Sequence, residues 1–213
     1  MKAQAPIERD AGARRAEMRL FESDALERLT RTKPATVPLL WVPLSSALFA
    51  WGASSGLEAS EVAWLASAAV LVWTLFEYTL HRVVFHLDRL VPRAARFCFM
   101  MHGSHHLDPN DAGRRLTPPV VSLPIFAVVL GIARAALGRD EGLVFAGVFG
   151  LSYVAYDMVH YACHAWRLPG RIGAYLKRHH LAHHYVDDHR NFGVTSPVWD
   201  AVFGTLGVRA RRG

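Results

Sequence analysis

Cysteine is scarce in this sequence of 213 residues, which contains only Cys98 and Cys163. Two cysteines exclude a disulfide-stapled scaffold and a zinc framework built on thiolates. Charged residues are also few, at 20%, whereas hydrophobic residues make up 52%. This balance excludes a disordered, collagen-like or coiled-coil chain.

Lysine is equally rare, with three residues against 21 arginines. Together with 30 alanines, this bias indicates a GC-rich bacterial genome. The formal net charge is +6, but the sequence contains no pattern of a nucleic-acid-binding module. We therefore expect no nucleic-acid partner, and the basic residues are expected to have another role.

The hydrophobic residues are concentrated in four segments, at residues 35–53, 63–80, 117–137 and 142–162. About 20 mostly apolar residues are needed to cross the hydrocarbon layer of a membrane. The first segment has no charged residue, and the others have one each: Glu77, Arg134 and Asp157. Residues 38–50 and 143–156 also lack the polar stripe of a soluble core helix. The sequence predicts an all-α integral membrane protein with four transmembrane helices.

Basic residues lie mostly on one side of this four-span arrangement, 22 of them against two on the other side. The positive-inside rule then places both termini in the cytoplasm. Residues 1–34 form a polar cytoplasmic arm, so the first apolar segment is not a cleaved signal peptide. An amphipathic helix is predicted over residues 14–29, lying either on the membrane or in solvent. Residues 35–213 are predicted to form the membrane domain.

Histidine is abundant, with twelve residues, and most of them fall in four clusters at the cytoplasmic side. The second and fourth clusters have the spacing His-x-x-His-His, and the third has His-x-x-x-His. On a helix, residues i, i+3 and i+4 share one face. His81 and His86 are five apart. They either straddle two neighbouring metal ions or lie where the helix loosens. His179 adjoins the last cluster, and His189 stands alone.

Such clusters predict a metal site, since imidazole binds zinc, copper, iron and nickel. Ten histidines are too many for one ion and suit two ions with about five imidazoles each. The Glu-x-x-His pattern of soluble di-iron bundles is absent. A histidine-rich site at the membrane boundary meets both a lipid chain and an electron donor. This arrangement suits oxidation of an unactivated C–H bond by dioxygen.

The order of the clusters resembles the fatty acid hydroxylase family of integral-membrane di-iron enzymes, and most of all the catalytic domain of fatty acid 2-hydroxylases. The resemblance rests on residues 19–24, 76–86, 101–106, 109–119, 156–161 and 191–200. Acyl-CoA desaturases share three clusters but lack the one at His160 and His164. The resemblance implies four spans, a cytosolic helical cap rich in histidine, and hydroxylation at carbon 2 of long-chain fatty acyl groups, usually of sphingolipids.

The resemblance also implies the site. The metal ligands carry over to His81, His86, His102, His105, His106, His160, His164, His180, His183 and His184. They would hold two iron ions, which zinc can replace on isolation, and the reaction would use O2. With no room here for a fused cytochrome b5 domain, electrons are expected from a separate cytochrome b5-type or ferredoxin donor.

Three further residues match a stretch near the substrate pocket of the family. Tyr153, Tyr156 and Asp157 are therefore candidate catalytic residues. Asp157 precedes His160 by three residues, so it is expected to orient an imidazole. His179 and His189 match no ligand position. The expected partners are an acyl lipid and the membrane, either a bacterial inner membrane or, in a eukaryote, the endoplasmic reticulum.

Three alternatives stay open at this point. A sterol, carotenoid or alkyl-lipid oxygenase of the same superfamily differs in the shape of its pocket, which the sequence does not reveal. A b-type haem protein would place facing histidines within its spans. A metal transporter would place polar ligands near the bilayer midplane, where this sequence has almost none.

Overall fold

The computed structural model describes residues 18–207, which are helical and contain no strand. The α-helices are α1 Asp24–Leu29, α2 Thr36–Ala53, α3 Ala59–Thr79, α4 Ala95–Cys98, α5 Ser104–Leu107, α6 Pro119–Leu137, α7 Arg139–Ala165, α8 Gly170–Tyr185 and α9 Val198–Val202. Two π-helical segments follow α3 and α4, at Leu80–Phe85 and Phe99–Gly103. Short 3₁₀ turns lie at Leu87–Arg89, Pro92–Ala94 and Ala112–Arg114.

Four helical stretches are long and apolar enough to cross a membrane, which confirms the predicted all-α architecture with four spans. They are Thr36–Ala53, Ala59–Phe85, Ala112–Leu137 and Arg139–Ala165. The second and fourth stretches extend beyond the apolar segments of the sequence, because their polar ends continue the helix. Those polar ends carry His81 of the first histidine cluster and His164 of the third.

The helix α7 lies at the centre of the bundle. In its most apolar window 56% of the residues are buried, against 17–22% in the other spans. Gly147 allows α2 to pack directly on it, since a Cβ atom there would lie 2.6 Å from the backbone nitrogen of Phe49. Small residues permit such close approach between membrane helices. His160 and His164 therefore lie on the span with the largest buried share.

The predicted amphipathic helix over residues 14–29 is shorter in the structure. Within the described residues only Asp24–Leu29 is helical, and residues 14–17 lie outside them. Residues 19–23 are held instead by side chains. Glu27 accepts hydrogen bonds from the backbone nitrogens of Leu20 and Phe21, and Arg19 donates to the carbonyl oxygens of Phe21 and Glu22. Side chains that satisfy backbone groups in this way compete with helix formation.

An ion-pair network ties this N-terminal segment to the start of the third span. Glu27 pairs with the buried guanidinium of Arg114 and with Arg31 at 3.2 Å. Arg31 also pairs with Asp111 at 3.2 Å. Burial raises the pKa of the Glu27 carboxyl group. Hydrogen bonds from Leu20, Phe21 and Arg31 together lower it by more, so the pKa lies below its ordinary value. The segment is therefore anchored to the protein by ionised groups.

Candidate metal centre

Ten histidines converge in two groups at one end of the bundle. The first group consists of His81, His86, His102, His106 and His183, and the second of His105, His160, His164, His180 and His184. Within each group the candidate ligand nitrogens lie within 4.8 Å of one another. These are the ten histidines that the family resemblance implied, divided five and five.

A π-helical segment explains the five-residue spacing of His81 and His86. The segment Leu80–Phe85 continues α3 with hydrogen bonds from residue i to i+5. Five residues then make about one turn, so the two imidazoles reach the same group. Of the two alternatives left by the sequence, the loosened helix is correct, and the pair does not straddle two sites.

Each His-x-x-His-His motif supplies both groups. His102 and His106 belong to the first group and His105 to the second. The later motif divides the other way, because His183 joins the first group while His180 and His184 join the second. The motifs therefore lie between the two groups and hold them next to each other.

Backbone carbonyl oxygens orient three of the imidazoles. The Nδ1 atoms of His81, His160 and His183 lie 2.6–2.7 Å from the carbonyl oxygens of Phe192, Arg115 and Arg190, respectively. A carbonyl oxygen only accepts hydrogen bonds, so each Nδ1 carries the proton and each Nε2 keeps its lone pair. This is the tautomer needed for metal binding through Nε2.

The geometry of both groups fits metal ions. An ion about 2.1 Å from each imidazole nitrogen separates neighbouring nitrogens by about 3.0 Å in an octahedral arrangement. The facing Nε2 pairs of both groups lie 2.8–3.1 Å apart. Among residues 18–207, the buried Nε2 atoms of His86, His160 and His184 have no hydrogen-bond partner. Lone pairs in this arrangement repel one another unless a cation lies between them.

Burial also keeps the imidazoles available as ligands. It lowers the pKa of the seven histidines of the two groups that lie outside the spans, to about 4 for His106 and further for the others: His86, His102, His105, His180, His183 and His184. Their rings are therefore neutral at pH 7, as metal binding requires.

A cavity of about 200 Å³ adjoins both groups, since His102 of the first group lines it together with two histidines of the second. Its wall includes His105 and His160, the aromatic ring of Tyr156, and apolar side chains of the third span. Phe21 and Leu29 of the N-terminal segment also line it, so residues before position 35 contribute to the site. Such a mixed wall suits an apolar ligand with one polar end.

A second, smaller cavity of about 40 Å³ lies between the spans and is almost entirely apolar. Tyr156 and Thr117 line both cavities. The ring of Tyr156 also lies parallel to that of His160, with centroids 6.1 Å apart. Tyr156 therefore stands between the histidines and the membrane interior.

Asp157 has a different set of contacts from the one expected. Its carboxylate accepts hydrogen bonds from the Tyr153 hydroxyl at 3.0 Å and from the Thr117 backbone nitrogen at 3.2 Å. The imidazole of His160 is oriented by the Arg115 carbonyl instead, since that oxygen already occupies the Nδ1 position. Tyr153 and Asp157 thus hold the chain at Thr117, in the wall of both cavities.

Two buried acidic residues near the histidines were not among the predicted site residues. Asp200 accepts a hydrogen bond from Nε2 of His179 at 3.0 Å. Glu77 accepts hydrogen bonds from the Trp73 indole at 3.2 Å and from the Thr195 hydroxyl at 2.7 Å. The position of Glu77 within a membrane span is a sequence signal of a functional role, whereas Asp200 lies outside the spans and has no such signal. His189 is exposed and lies outside both groups.

Comparison with known proteins identifies the family. A family model described as fatty acid hydroxylase matches residues 66–205. The chain belongs to the fatty acid hydroxylase family. The matched range contains all ten histidines of the two groups. Membership of this family and the names of its relatives make the chain a hydroxylating oxidoreductase. Its four candidate spans indicate a membrane protein.

The curated relatives of the hydroxylase have consistent names. Dihydroceramide fatty acyl 2-hydroxylase FAH2 of Arabidopsis thaliana is 35% identical over 90% of this chain and 81% of its own length. Ceramide very long chain fatty acid hydroxylase scs7 of Schizosaccharomyces pombe is 38% identical over 85% of this chain and 53% of its own length. Fatty acid 2-hydroxylase of Homo sapiens is 35% identical over 89% of this chain and 56% of its own length.

A solved structure shares the fold of the hydroxylase. The structure titled full length scs7p, in which only the hydroxylase domain is visible, superimposes with a TM-score of 0.81. It is 34% identical in sequence, and the match covers 86% of this chain and 70% of that one. The resemblance stated from the sequence is thereby confirmed at the level of family and fold.

Proposed function

We propose that the hydroxylase inserts a hydroxyl group at carbon 2 of long-chain fatty acyl groups, with a ceramide-type sphingolipid as the acyl carrier. The carrying observation is the position of the two five-histidine groups beside a cavity whose wall is largely apolar. The names of the relatives support position 2 and the ceramide carrier. They also favour this activity over a sterol, carotenoid or alkyl-lipid oxygenase.

The reaction converts a methylene group, O2, two electrons and two protons into a hydroxymethylene group and water. Two iron ions bound by the ten histidines would supply the oxygen activation that this chemistry requires. Iron, rather than the zinc that imidazole also binds, is our assignment, because zinc has no redox chemistry. The electrons come from a separate cytochrome b5-type or ferredoxin protein.

The residues of the chain have defined tasks in this proposal. The apolar wall of the larger cavity binds the first carbons of the acyl chain and excludes water from the second group. Tyr156 lies between the cavity and the smaller apolar space, so it directs the chain towards the membrane interior. Tyr153 and Asp157 fix Thr117 and thereby the shape of the passage.

We further propose that both termini and the histidine groups face the cytoplasm, in the inner membrane of a bacterium. The arrangement of 22 basic residues against two supports this orientation. Residues 1–34 form the cytoplasmic arm and residues 35–213 the catalytic domain, although Phe21 and Leu29 of the arm complete the cavity wall.

The test is lipid mass spectrometry of cells that express the hydroxylase. We expect acyl chains heavier by 16 Da, with fragmentation that places the oxygen at carbon 2. Cells that express the His105→Ala variant at an equal protein level are the control and should lack this product. Oxygen at another carbon, or on a sterol or carotenoid, would contradict the proposed specificity.

A further inference from the structure

The carboxylate of Asp200 is fully buried, at 0% exposure, and lies on α9 outside the two histidine groups. It collects four hydrogen bonds, from His179 Nε2 at 3.0 Å, the backbone nitrogens of Phe192 and Gly193 at 2.9 Å, and the Thr205 hydroxyl at 2.8 Å. Buried carboxylates with so many donors are strongly bound in place. Their neighbours are then fixed as well.

The loop fixed by Asp200 is the one that orients the first group. The carbonyl oxygen of Phe192 accepts from His81 Nδ1 at 2.6 Å, and that of Arg190 accepts from His183 Nδ1 at 2.7 Å. Asp200 binds the nitrogens of the same short backbone segment. A chain of direct contacts therefore joins the carboxylate to two imidazoles of one metal group.

The loop is not helical, so its shape depends on contacts with side chains and with distant backbone. Besides those of Asp200, they include hydrogen bonds from the Asn191 nitrogen to the Thr205 carbonyl oxygen at 2.9 Å and from the Thr195 nitrogen to Glu77 at 3.0 Å. Asn191 has a positive φ of 61°, and its side chain accepts a hydrogen bond from the Gly207 nitrogen at 2.6 Å. A Cβ atom at Gly193 would overlap the carbonyl oxygen of Ser196 and lie 3.0 Å from Asp200 Oδ2. Asp200 thus acts as the internal template around which this backbone folds.

We propose that Asp200, itself held by His179, is a positioning residue for the first histidine group. It fixes the carbonyl oxygens of Arg190 and Phe192, and these set the tautomer and rotation of His183 and His81. The inference rests on the metal assignment in the proposed function and adds a residue that orients the ligands of one of the two ions. Residues that orient metal ligands typically contribute 10–100-fold to metal affinity.

The effect is specific to the first group. The carbonyl oxygen that orients His160 of the second group belongs to Arg115, which precedes α6, and the Arg115 side chain donates to the carbonyl oxygens of Pro109 and Asn110 rather than to Asp200. His180 follows His179 in sequence, but the backbone hydrogen bonds of α8 hold it independently of Asp200. Loss of the carboxylate should therefore weaken one ion and spare the other.

The test measures metal retention by the purified full-length chain. Wild type, Asp200→Ala and Asp200→Asn are loaded with Fe²⁺ without oxygen, and with Zn²⁺ in parallel, then dialysed against increasing concentrations of a chelator. Elemental analysis gives the ions left per chain. Asp24→Asn is the matched control, because that side chain is 73% exposed and pairs only with Arg19 in the described residues.

Wild type and the control should retain two ions with similar affinity. Asp200→Ala should release one ion at a 10–100-fold lower chelator concentration and keep the other as in wild type. Asp200→Asn keeps one acceptor oxygen and should fall between them. Circular dichroism of each sample reports the helical content, so a folded variant is distinguished from an unfolded one.

Three results would overturn the inference. Both ions could be retained as in wild type, both could be lost together from folded protein, or both variants could lose their helical content, which would make the network structural only. Wild type that binds fewer than two ions would instead contradict the metal assignment, and this inference with it. The failure of the positioning role is thus distinguishable from the failure of the proposed function.

Discussion

At the scale of single residues, the twelve histidines differ in what surrounds them. Ten face one another through ring nitrogens, His179 faces a carboxylate, and His189 faces solvent. The family resemblance implies this division, whereas helical spacing alone indicates only that residues i, i+3 and i+4 of a cluster share a face. The sequence predicts neither the Asp200 network, which is formed around a non-helical loop, nor the contact between Glu77 and Thr195, which are 118 positions apart.

The first prediction concerns these histidines. His105→Ala and His183→Ala should each abolish product, because a methyl group cannot replace an imidazole that holds an ion. His189→Ala should keep most of the activity, since its side chain is 71% exposed. His179→Ala should lose about 10–100-fold. The measurement is 2-hydroxyacyl lipid per unit of expressed protein. Full activity of both ligand variants would contradict the site.

The second prediction concerns Gly193. The substitution Gly193→Ala should destabilise the protein by about 1–3 kcal/mol, the usual effect of adding a methyl group to a filled space. The new atom would overlap the Ser196 carbonyl and displace the loop that orients the first group. Thermal unfolding in detergent measures this. Gly131→Ala is the control, because its position has open space, and equal unfolding temperatures of the two variants would refute the expectation.

At the scale of elements, the apolar segments of the sequence predict the four spans, because about 20 mostly apolar residues are long enough to cross the hydrocarbon layer. Local detail is harder to predict. The five-residue spacing of His81 and His86 is a signal for the π-helical turn, but spacing alone also allows two separate sites. The helix expected over residues 14–29 is shortened by Glu27, whose bonds to Leu20 and Phe21 satisfy the backbone in another conformation.

The third prediction concerns the packing of α2 on α7. Gly147→Leu should force the two helices apart, since even a Cβ atom would lie 2.6 Å from the Phe49 backbone. We expect a loss of stability of about 3 kcal/mol or more and a lower yield of folded protein. Size-exclusion profiles and thermal unfolding in detergent measure both. Gly131→Leu is the control, and an equally small effect of both substitutions would show that α2 does not pack there.

At the scale of the whole molecule, the sequence predicts four spans and one end rich in histidine, and the structure brings four separate histidine clusters together there. The N-terminal segment completes the cavity wall through Phe21 and Leu29. This contribution was not predictable, because it depends on the buried ion pair of Glu27 and Arg114, two residues 87 positions apart.

The fourth prediction concerns topology. Reporter fusions at positions 1 and 213 should both show a cytoplasmic location, and a fusion at Ser55, in the first connection between spans, should show the opposite side. The reason is the arrangement of 22 basic residues against two. Reporters that are active only on one side of the membrane provide the measurement. A fusion at position 213 that reports the far side would contradict the four-span topology.

The fifth prediction concerns the ion content of the whole chain. Protein purified from iron-rich cells should contain two metal ions, one for each group of five imidazoles. Zinc should replace part of the iron when zinc is abundant, because imidazole binds both. Elemental analysis of monodisperse protein measures the ratio. A value of one ion or none in well-folded protein would contradict the two-site arrangement.

Because the four clusters converge, each bound ion would also cross-link distant parts of the chain. His86 and His183 belong to one group but are almost 100 positions apart, and a cross-link over about 100 residues removes chain entropy worth about 4.7 kcal/mol from the unfolded state. The two cysteines are buried and free, so they do not form a disulfide, and the bound ions would provide the cross-links of this chain. In a cell short of iron, we would therefore expect the unloaded protein to be degraded faster, so that its abundance follows the iron supply without any dedicated regulator.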